Sequence, residues 1–287
     1  MESLRQIRSR IKSVASTQSI TRAMQLVAAS KLKRAQGRLV QFRETYRHLG
    51  RIIGRLVTSE PPIRHPLLGH DMTGEVRRAP MRLILVASDA GLCGAYNLNI
   101  LRAAEQWLGG QEGPVEVLAV GRRGVRYAQR RGWTLSGGPV ELLGRVQLPR
   151  IHALAAEVTQ AFLNGESSRV MIAYTHFNTL SSWKPMAVQL LPIQPPEASR
   201  EAIDYIYEPS KEAIFEEILP LWVRTQLAML IIEALTSEHA ARMIAMKNAT
   251  DNASEIIDAL TLRRNKIRQA SITKEISEIV GTAEALK

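Results

Sequence analysis

The residues of this chain best suited to chemistry lie in one glycine-containing turn, at positions 89–94. The turn carries the chain's single cysteine, Cys93, between Gly91 and Gly94. It follows a short apolar run and precedes a helical pattern, which is where a phosphate-binding turn is found in α/β proteins. However, neither G-x-G-x-x-G nor G-x-x-x-x-G-K-[ST] occurs anywhere in the sequence. We therefore expect no nucleotide or other cofactor, and a structural or contact role for the turn.

Other catalytic or metal-binding arrangements also lack support. No histidine lies near Cys93 in the sequence, so we interpret the thiol as a small buried group rather than a nucleophile. The six histidines show no metal-ligand spacing, and the Glu238-His239 pair is not part of H-E-x-x-H. One cysteine also excludes a disulfide framework and suits a reducing compartment. We expect neither an enzyme nor a metal protein.

The middle of the chain alternates strand and helix patterns. The apolar run at 82–88 is typical of a strand buried on both faces. Further strands are predicted at 115–120, 170–174 and 186–191, and helices at 98–108, 122–131 and 148–163. Such alternation indicates an α/β layer fold with a partly parallel sheet, a Rossmann-like domain that we place at 75–200.

The N-terminal segment, residues 1–59, predicts one long helix with a coiled-coil seam. Eight heptads keep a single register, which is a strong signal. The seam positions are Leu4, Ile7, Ile11, Val14, Gln18, Thr21, Gln25, Ala28, Leu32, Ala35, Leu39, Phe42, Tyr46, Leu49, Ile53 and Leu56. We expect the helix to end near Ser59, before two prolines, and residues 61–80 to form a linker.

This seam is interrupted where three consecutive positions, Gln18, Thr21 and Gln25, are polar. A second apolar stripe lies on another face of the same stretch and consists of Ile20, Met24 and Val27. Single apolar side chains on a surface are normal and could explain this stripe. We favour a third surface that packs there and surrounds the coil.

The C-terminal segment, residues 208–287, predicts a second long helix, with Pro209 in its first turn. At about 65 to 75 residues it would be roughly 100 Å long, so it must bury its apolar stripe on something other than a compact core. The predicted seam is Met246, Ala249, Ala253, Ile256, Leu260, Arg263, Ile267 and Ala270. Beyond it the stripe moves to another face, at Ile272, Ile276, Ile279, Ala283 and Leu286. The tip then either enters an apolar sleeve made by other chains or belongs to an ordinary buried helix.

The net charge of +11 is concentrated at the N-terminus. Residues 1–56 contain thirteen Lys and Arg against two Glu, whereas the remainder is balanced. A basic helix of this kind indicates an anionic partner, namely nucleic acid, anionic lipid or acidic protein loops. No run of about 18 apolar residues occurs, and the first turn is charged, so we expect neither a membrane span nor a secretory signal peptide.

Three stretches closely resemble the gamma subunit of the F-type ATP synthase. They read STQSITRAMQLVAASK at 16–31, SDAGLCG at 88–94 and RQASIT at 268–273. The resemblance covers essentially the whole chain, and its two terminal motifs are long and specific. It implies an α+α/β fold, in which the N- and C-terminal helices form a long antiparallel coiled coil and the Rossmann-like domain is inserted between them.

The resemblance also implies a non-catalytic rotor, the central stalk. In that family the coiled coil stands inside a hexamer of alternating alpha and beta subunits, and the α/β domain lies beside the epsilon subunit and the membrane c-ring. Proton or sodium flow turns the ring and the shaft, which drives the beta catalytic sites through their states. The implied location is peripheral, on the cytoplasmic face of the bacterial plasma membrane, with no cofactor.

Site residues carry over from this resemblance position by position. Those that match beta-subunit contacts are Arg22, Met24, Lys31, Arg268, Gln269 and Thr273. Those that match the foot on the ring and epsilon are Tyr205, Tyr207 and Glu208. Arg242 lies in the family's C-terminal motif without an assigned partner, and Ala90 stands where the family usually has arginine. Without the resemblance, a solvated basic face and a coil-packing Met24 would explain these residues.

Two other functions are weighed against the rotor. A basic coiled-coil nucleic-acid binder is disfavoured because the basic residues surround the helix instead of forming one stripe with interleaved aromatics. We therefore expect no nucleic-acid partner. An α/β enzyme with helical extensions is disfavoured because phosphate motifs, paired carboxylates and a nucleophile–base arrangement are missing.

Overall fold

The computed structural model describes residues 3–57, 64–69, 79–138, 140–195, 208 and 210–285. The elements in chain order are α1 (Leu4–Val57), a 3-10 turn (Pro66–Leu68), β1 (Met81–Val86), α2 (Tyr96–Gly109), β2 (Val115–Val120), α3 (Arg122–Arg131), α4 (Leu148–Leu163), β3 (Arg169–Thr179), β4 (Ser182–Leu191) and α5 (Lys211–Ala285). Two of these, α1 with 54 residues and α5 with 75, are far longer than the other helices.

The chain packs as two compact units. The smaller, here the terminal unit, consists of Met1–Ala28 and Met243–Lys287, and the larger, the central unit, is Ala29–Arg242. Both long helices contribute to each unit. The boundaries predicted from the sequence, 1–59, 75–200 and 208–287, divide the chain by element type instead and stay a prediction.

The sheet of the central unit has four strands in the order β2-β1-β3-β4. β1 is parallel to both β2 and β3, whereas β4 is antiparallel to β3. Parallel neighbours require crossover connections, which α2, α3 and α4 supply. The partly parallel α/β layer fold predicted from the sequence is therefore confirmed.

One face of this sheet carries the main core of the central unit. Strand residues such as Ile84, Leu118 and Ile172 pack with α4 and with the nearby parts of α1 and α5, and most of this cluster is completely buried. The opposite face is covered by α2 and α3, where Leu85 and Ile100 belong to a second buried cluster. β1 is buried on both faces, as its continuous apolar run predicts.

The β3–β4 hairpin is longer than the sequence predicts. Strands were expected at 170–174 and 186–191, but the paired ladder extends to Thr179 and Ser182 at the turn. The added residues are mainly polar or half-exposed, so they lack the apolar run on which the prediction depended. Pro185 lies within β4, which is at the edge of the sheet, where a missing backbone donor is tolerated.

Two local predictions about the connections need correction. The expected linker at 61–80 contains the 3-10 turn. Leu67 of this turn is completely buried, and its carbonyl oxygen accepts a hydrogen bond from Ile193 N at 2.7 Å.

The C-terminal helix begins at Lys211, where Ser210 Oγ accepts from Ala213 N at 3.2 Å. A serine cap therefore starts the helix, because its side chain satisfies a free backbone N–H. Pro209, expected in the first turn, lies outside the described residues.

The predicted seam of α1 is confirmed at all sixteen positions. Each of them is buried or half-buried, from Leu4 to Leu56. In the central unit α1 and α5 run antiparallel, because Arg43 pairs with Glu233 while Tyr46 stacks on Trp222, with ring centroids 4.2 Å apart. The sixteen residues of this single register therefore form the face of α1 that packs against other parts of the chain.

The seam predicted for α5 is confirmed at five of its eight positions and wrong at the other three. The confirmed positions, which are buried or half-buried, are Met246, Ala249, Ala253, Leu260 and Ile267. The intermediate positions Ile256, Arg263 and Ala270 are exposed, whereas their next neighbours Ile257, Arg264 and Ser271 are half-buried. In these three neighbouring pairs the prediction chose the wrong member, since a 3-4 and a 4-3 spacing share every seventh residue.

The apolar part of α5 also corrects the expectation that no segment could span a membrane. One 18-residue window within Lys211–Thr282 is apolar enough by length and composition, and 72% of it is buried inside the protein. Leu219, Val223, Leu227 and Ile231 of this helix are completely buried in the central core. Such burial is typical of a core helix that is apolar on most of its faces.

Candidate functional site

In the terminal unit a polar layer joins the two long helices. The hydroxyl oxygens of Thr21 and Thr250 are 2.8 Å apart. Each hydroxyl also lies within bonding distance of a carbonyl in its own helix, 3.0 Å to Gln18 O and 2.8 Å to Met246 O. Because each hydroxyl has one proton, one donates across the seam and the other to its own helix.

A cavity of about 420 Å³ lies beside this layer. Its lining consists of Gln18, Arg22, Gln25 and Leu26 from α1 and Lys247, Thr250, Asp251 and Ser254 from α5. The polar seam residues of α1 therefore face polar side chains of α5. Polar groups in a seam require such partners, since burying them unpaired costs free energy.

At the same level α1 exposes large apolar side chains. The exposed fractions are 58% for Ile20, 66% for Leu26 and 57% for Val27. Met24 is half-buried and Arg22 is exposed. Ile20 and Val27 of the second apolar stripe expected from the sequence are thus on the surface of the chain, and exposed apolar residues grouped along one stretch are typical of a binding surface.

The C-terminal part of α5 presents a similar surface. Three of the predicted contact residues, Arg268, Gln269 and Thr273, are exposed, and the Thr273 hydroxyl donates to Gln269 O at 2.9 Å. The exposed apolar side chains around them are Leu262, Ile272, Ile276, Ile279 and Val280. Ala283 and Leu286, also assigned to the shifted stripe, are outside the residues whose side chains the structure describes.

The other residues predicted to contact partner subunits are Lys31, Tyr205, Tyr207 and Glu208. Lys31 belongs to the central unit, where it is half-buried beside Gly144. Glu208 is exposed. Tyr205 and Tyr207 lie outside the described residues, so the predicted foot is described only at Glu208.

The partner that sequence reasoning could not assign to Arg242 is the turn that carries Cys93. Its guanidinium donates to the carbonyl oxygens of Ala90 and Gly91, each at 3.3 Å, and to Glu238 Oε1 at 2.8 Å. Arg242 therefore ties α5 to the turn through backbone carbonyls. The contact at position 90 uses main-chain atoms, so the alanine there does not prevent it.

Glu238 is the buried member of this cluster. Only 3% of the residue is exposed, and burial raises the pKa of its carboxyl, while the neighbouring Arg242 opposes that rise. A buried charge next to its counter-ion is strongly destabilising when the counter-ion is removed. The Glu238–Arg242 pair is thus a fixed part of the α5 structure at this level.

His239 is held as a neutral ring. Its Nε2 lies 3.2 Å from Gly144 O and must carry the proton, which leaves Nδ1 as the acceptor facing Arg242. Burial and the charges of Arg242 and Lys31 lower the pKa of His239 to about 4. At neutral pH His239 therefore adds a hydrogen bond but no charge.

Asp89 orders the loop that follows α3. Its Oδ1 accepts from Arg122 N at 3.1 Å, and its Oδ2 accepts from Leu142 N at 3.2 Å and Leu143 N at 2.5 Å. Three backbone donors on one carboxylate give it a structural role. The turn at 89–94 therefore joins the start of α3, the loop that follows α3 and, through Arg242, α5.

Cys93 has the properties of a buried structural residue. It is 2% exposed, Asn97 Nδ2 donates to its Sγ at 3.1 Å, and burial raises the pKa of its thiol. A raised pKa reduces the thiolate fraction that a nucleophile needs. Among the described residues no group of three or more His, Cys, Asp or Glu could hold a metal ion.

A family model described as ATP synthase matches residues 3–286 of the chain. Relatives include the ATP synthase gamma chains of Pelotomaculum thermopropionicum, 39% identical over 291 residues, and Moorella thermoacetica, 40% identical over 287 residues. Both alignments cover 100% of this chain and 100% of the relative. This chain belongs to the ATP synthase gamma family. As a gamma chain it is a structural subunit of a membrane-associated complex and is not itself catalytic.

Solved structures agree with this membership. The chain is similar to the central stalk and c-ring structure of Tetrahymena thermophila mitochondrial ATP synthase, with a TM-score of 0.61 and 25% identity over 80% of this chain and 99% of that chain. A chain of the Euglena gracilis OSCP/F1/c-ring structure gives a TM-score of 0.65 at 18% identity, covering 99% of this chain and 94% of that one. At this lower identity the likeness supports the fold alone. The predicted fold class, with its central-stalk architecture, is confirmed.

The polar cluster around Arg242 in this gamma chain could not be predicted from the sequence. Asp89 is about 150 residues from Glu238 and Arg242 in the sequence, so only the fold brings its turn to this pair. The four-residue spacing of Glu238 and Arg242 on a helix was an available signal for their pairing. The assignments of beta, ring and epsilon contacts stay predictions.

Proposed function

We propose that this gamma chain is the rotor of its ATP synthase, carrying torque between the ion-driven membrane ring and the catalytic sites of the beta subunits. The observation that carries the proposal is the distribution of apolar side chains on the two long helices. Their seam is closed between them, yet further large apolar residues, such as Val27 and Ile276, stay on the surface. A gamma chain with such surfaces is suited to stand inside a surrounding partner.

Mechanical continuity supports the same role. Neither long helix is broken along its described length, from Leu4 to Val57 and from Lys211 to Ala285. Apart from Pro220, which has no backbone N–H to donate, the residues inside these helices are held by backbone hydrogen bonds. Bending or twisting such a helix requires many bonds to change together. Two helices joined along a seam resist twisting better than one, which is what a torque-carrying shaft needs.

The proposed contacts with the beta subunits use both helices. Met24 would face the acidic lever loop of beta, since its side chain offers apolar surface and Arg22 of the same unit offers positive charge. Lys31, which belongs to the central unit, is a separate proposed contact with beta. Arg268, Gln269 and Thr273 would be gripped by other beta loops. All six residues are exposed or half-buried, so their side chains are available to a partner.

The proposed contact with the c-ring and the epsilon subunit is the segment around Glu208, together with Tyr205 and Tyr207. Glu208 is exposed and precedes the start of α5. This end of the chain would lie at the cytoplasmic face of the bacterial plasma membrane. Torque from the ring would then enter α5 near its first turn.

Direct observation of rotation tests the proposal. Ser181 is exposed in the β3–β4 turn, and the chain's own Cys93 is buried, so Ser181→Cys offers one selective labelling site. The labelled chain would be assembled with alpha and beta subunits fixed to a surface, and a bead would be attached. We expect ATP to drive stepwise, one-directional rotation of the bead. An assembly that hydrolyses ATP with a stationary bead would refute the proposal.

A further inference from the structure

A basic cavity of about 450 Å³ opens in the central unit. It lies between α1, α5 and the loop that precedes α4. Its lining consists of Lys31, Arg34, Ala35 and Arg38 from α1, Gly144, Arg145 and Val146 from the loop, and Leu235 and His239 from α5. Four of these nine residues are cationic and none is anionic.

The charges around the cavity are not balanced by the protein. In the part of the chain that the structure describes, none of Lys31, Arg34, Arg38 and Arg145 takes part in an ion pair. The nearby carboxylate, Glu238, is already paired with Arg242. Uncompensated like charges at short range repel one another, so this arrangement has a free energy that an anion would lower.

The titration of Lys31 agrees with this geometry. Burial lowers the pKa of its ammonium, and the positive charges of Arg242 and Arg145 lower it further. Glu238 opposes these effects. His239 is neutral at physiological pH and does not add to the repulsion.

The loop side of the cavity is held in place before any ligand binds. His239 donates to Gly144 O at 3.2 Å, and Arg38 Nη1 donates to Val146 O at 3.1 Å. Gly144 has a φ of 61°, and a Cβ added there would stand 3.5 Å from Lys31 Nζ. The left-handed φ favours glycine at this position, and the loop backbone lies close to Lys31. Arg38 is committed to the loop, which leaves Lys31, Arg34 and Arg145 for a ligand.

We propose that this cavity binds a small oxyanion, a phosphate group either free or carried by a nucleotide, through Lys31, Arg34 and Arg145. Guanidinium groups match the geometry of phosphate oxygens and remain charged at all physiological pH values. A concave site with walls from three elements suits a small anion better than an extended acidic loop of another protein. This binding goes beyond the rotor function and does not depend on it.

Binding would be measured on the full chain by calorimetric titration with inorganic phosphate, at ionic strength held constant with chloride. We expect a dissociation constant of about 1 mM or tighter. The double variant Arg34→Gln/Arg145→Gln should weaken binding at least about tenfold, because it removes two charge-assisted hydrogen bonds. The control Arg102→Gln/Arg126→Gln removes the same charge from exposed sites on α2 and α3 and should bind phosphate like the unmodified chain.

The results distinguish free phosphate from the phosphate of a nucleotide, and both from an acidic protein segment. If ADP binds more tightly than phosphate and the double variant loses this binding, the ligand of the cavity is the phosphate of a nucleotide. If ADP binds equally or more weakly, the ligand is free phosphate. Absence of phosphate binding, or equal weakening in the control, overturns the proposal. So does a poly-glutamate peptide that binds at Arg34 and Arg145 without being displaced by phosphate. Circular dichroism of each variant would establish that it is folded.

Discussion

Acidification should destabilise the central unit through His239. The folded-state pKa of this buried ring is lowered from 6.5 to about 4 by burial and by the charges of Arg242, Lys31 and Arg34. Between these two values the unfolded chain binds a proton that the folded chain does not. The resulting stability is therefore present above pH 6.5 and is lost as the pH falls towards 4.

The magnitude follows from the difference between these two pKa values. At about 1.4 kcal/mol per unit, the full loss is about 3 kcal/mol, and about 2 kcal/mol of it is reached at pH 5. His239→Gln removes the titration, while its amide can still donate to Gly144 O. Between pH 7.5 and pH 5 the unmodified chain should therefore lose about 2 kcal/mol more free energy of unfolding than the variant.

Urea unfolding followed by tryptophan fluorescence is the appropriate assay. All four tryptophans, Trp107, Trp133, Trp183 and Trp222, belong to the central unit, which also contains His239. His48→Gln is the matched control, because His48 is exposed on α1. Carboxyl groups also titrate in this range, but they are common to all three proteins and cancel in the differences. Parallel losses in the unmodified chain and His239→Gln would show that the buried neutral ring is not the cause.

Three further predictions concern other parts of the chain. Arg242→Leu should lower the free energy of unfolding by about 3–5 kcal/mol, measured in urea, because it leaves Glu238 buried without its counter-ion. Arg268→Ala/Gln269→Ala should reduce ATP-driven ion pumping in reconstituted vesicles, whereas the free energy of unfolding of the full chain should change by less than about 0.5 kcal/mol because both residues are exposed. Cys93 should react slowly with iodoacetamide at pH 8, measured by mass spectrometry, because its thiol is buried and its pKa is raised.

Each of these has a matched comparison. Arg242→Lys keeps the charge and should cost less than the leucine variant; an equal cost would mean that the ion pair is unimportant. Arg126→Ala/Gln129→Ala removes the same side chains from α3 and should leave pumping unchanged. Pumping that falls equally in both double variants would contradict the assigned beta contacts. Ser181→Cys supplies an exposed thiol, and a Cys93 that reacts as fast would contradict its burial.

The seam of α1 could be predicted residue by residue because its period is local information. Each heptad repeats the same choice, so a single register explains sixteen positions without knowledge of the partner helix. The α5 seam was harder, because Ile256 and Ile257 are adjacent isoleucines and both fit a helical stripe. Only the position of α1 decides that Ile257 is half-buried and that Ile256 is 49% exposed.

The polar cluster of the central unit could not be predicted for a different reason. Arg242 bonds to the carbonyl oxygens of Ala90 and Gly91, about 150 residues away in the chain. Every residue has a main-chain carbonyl, so the residue type at position 90 could not have predicted this contact. The same holds for His239 and Gly144, whose bond depends on a loop that Asp89 folds from a distance.

One layer of the terminal unit departs from the usual pattern of a two-helix coil, and this departure bears on function. In an isolated coil the seam is apolar and the outside polar. Here the seam contains the Thr21–Thr250 layer, while Ile20, Leu26 and Val27 are largely exposed on the outside. A polar seam layer specifies register at some cost in stability, and an exposed apolar side chain yields up to about 1.5–3 kcal/mol when a partner buries it. Burial of these exposed apolar residues by a partner would therefore stabilise an assembly, as the rotor role proposed above requires.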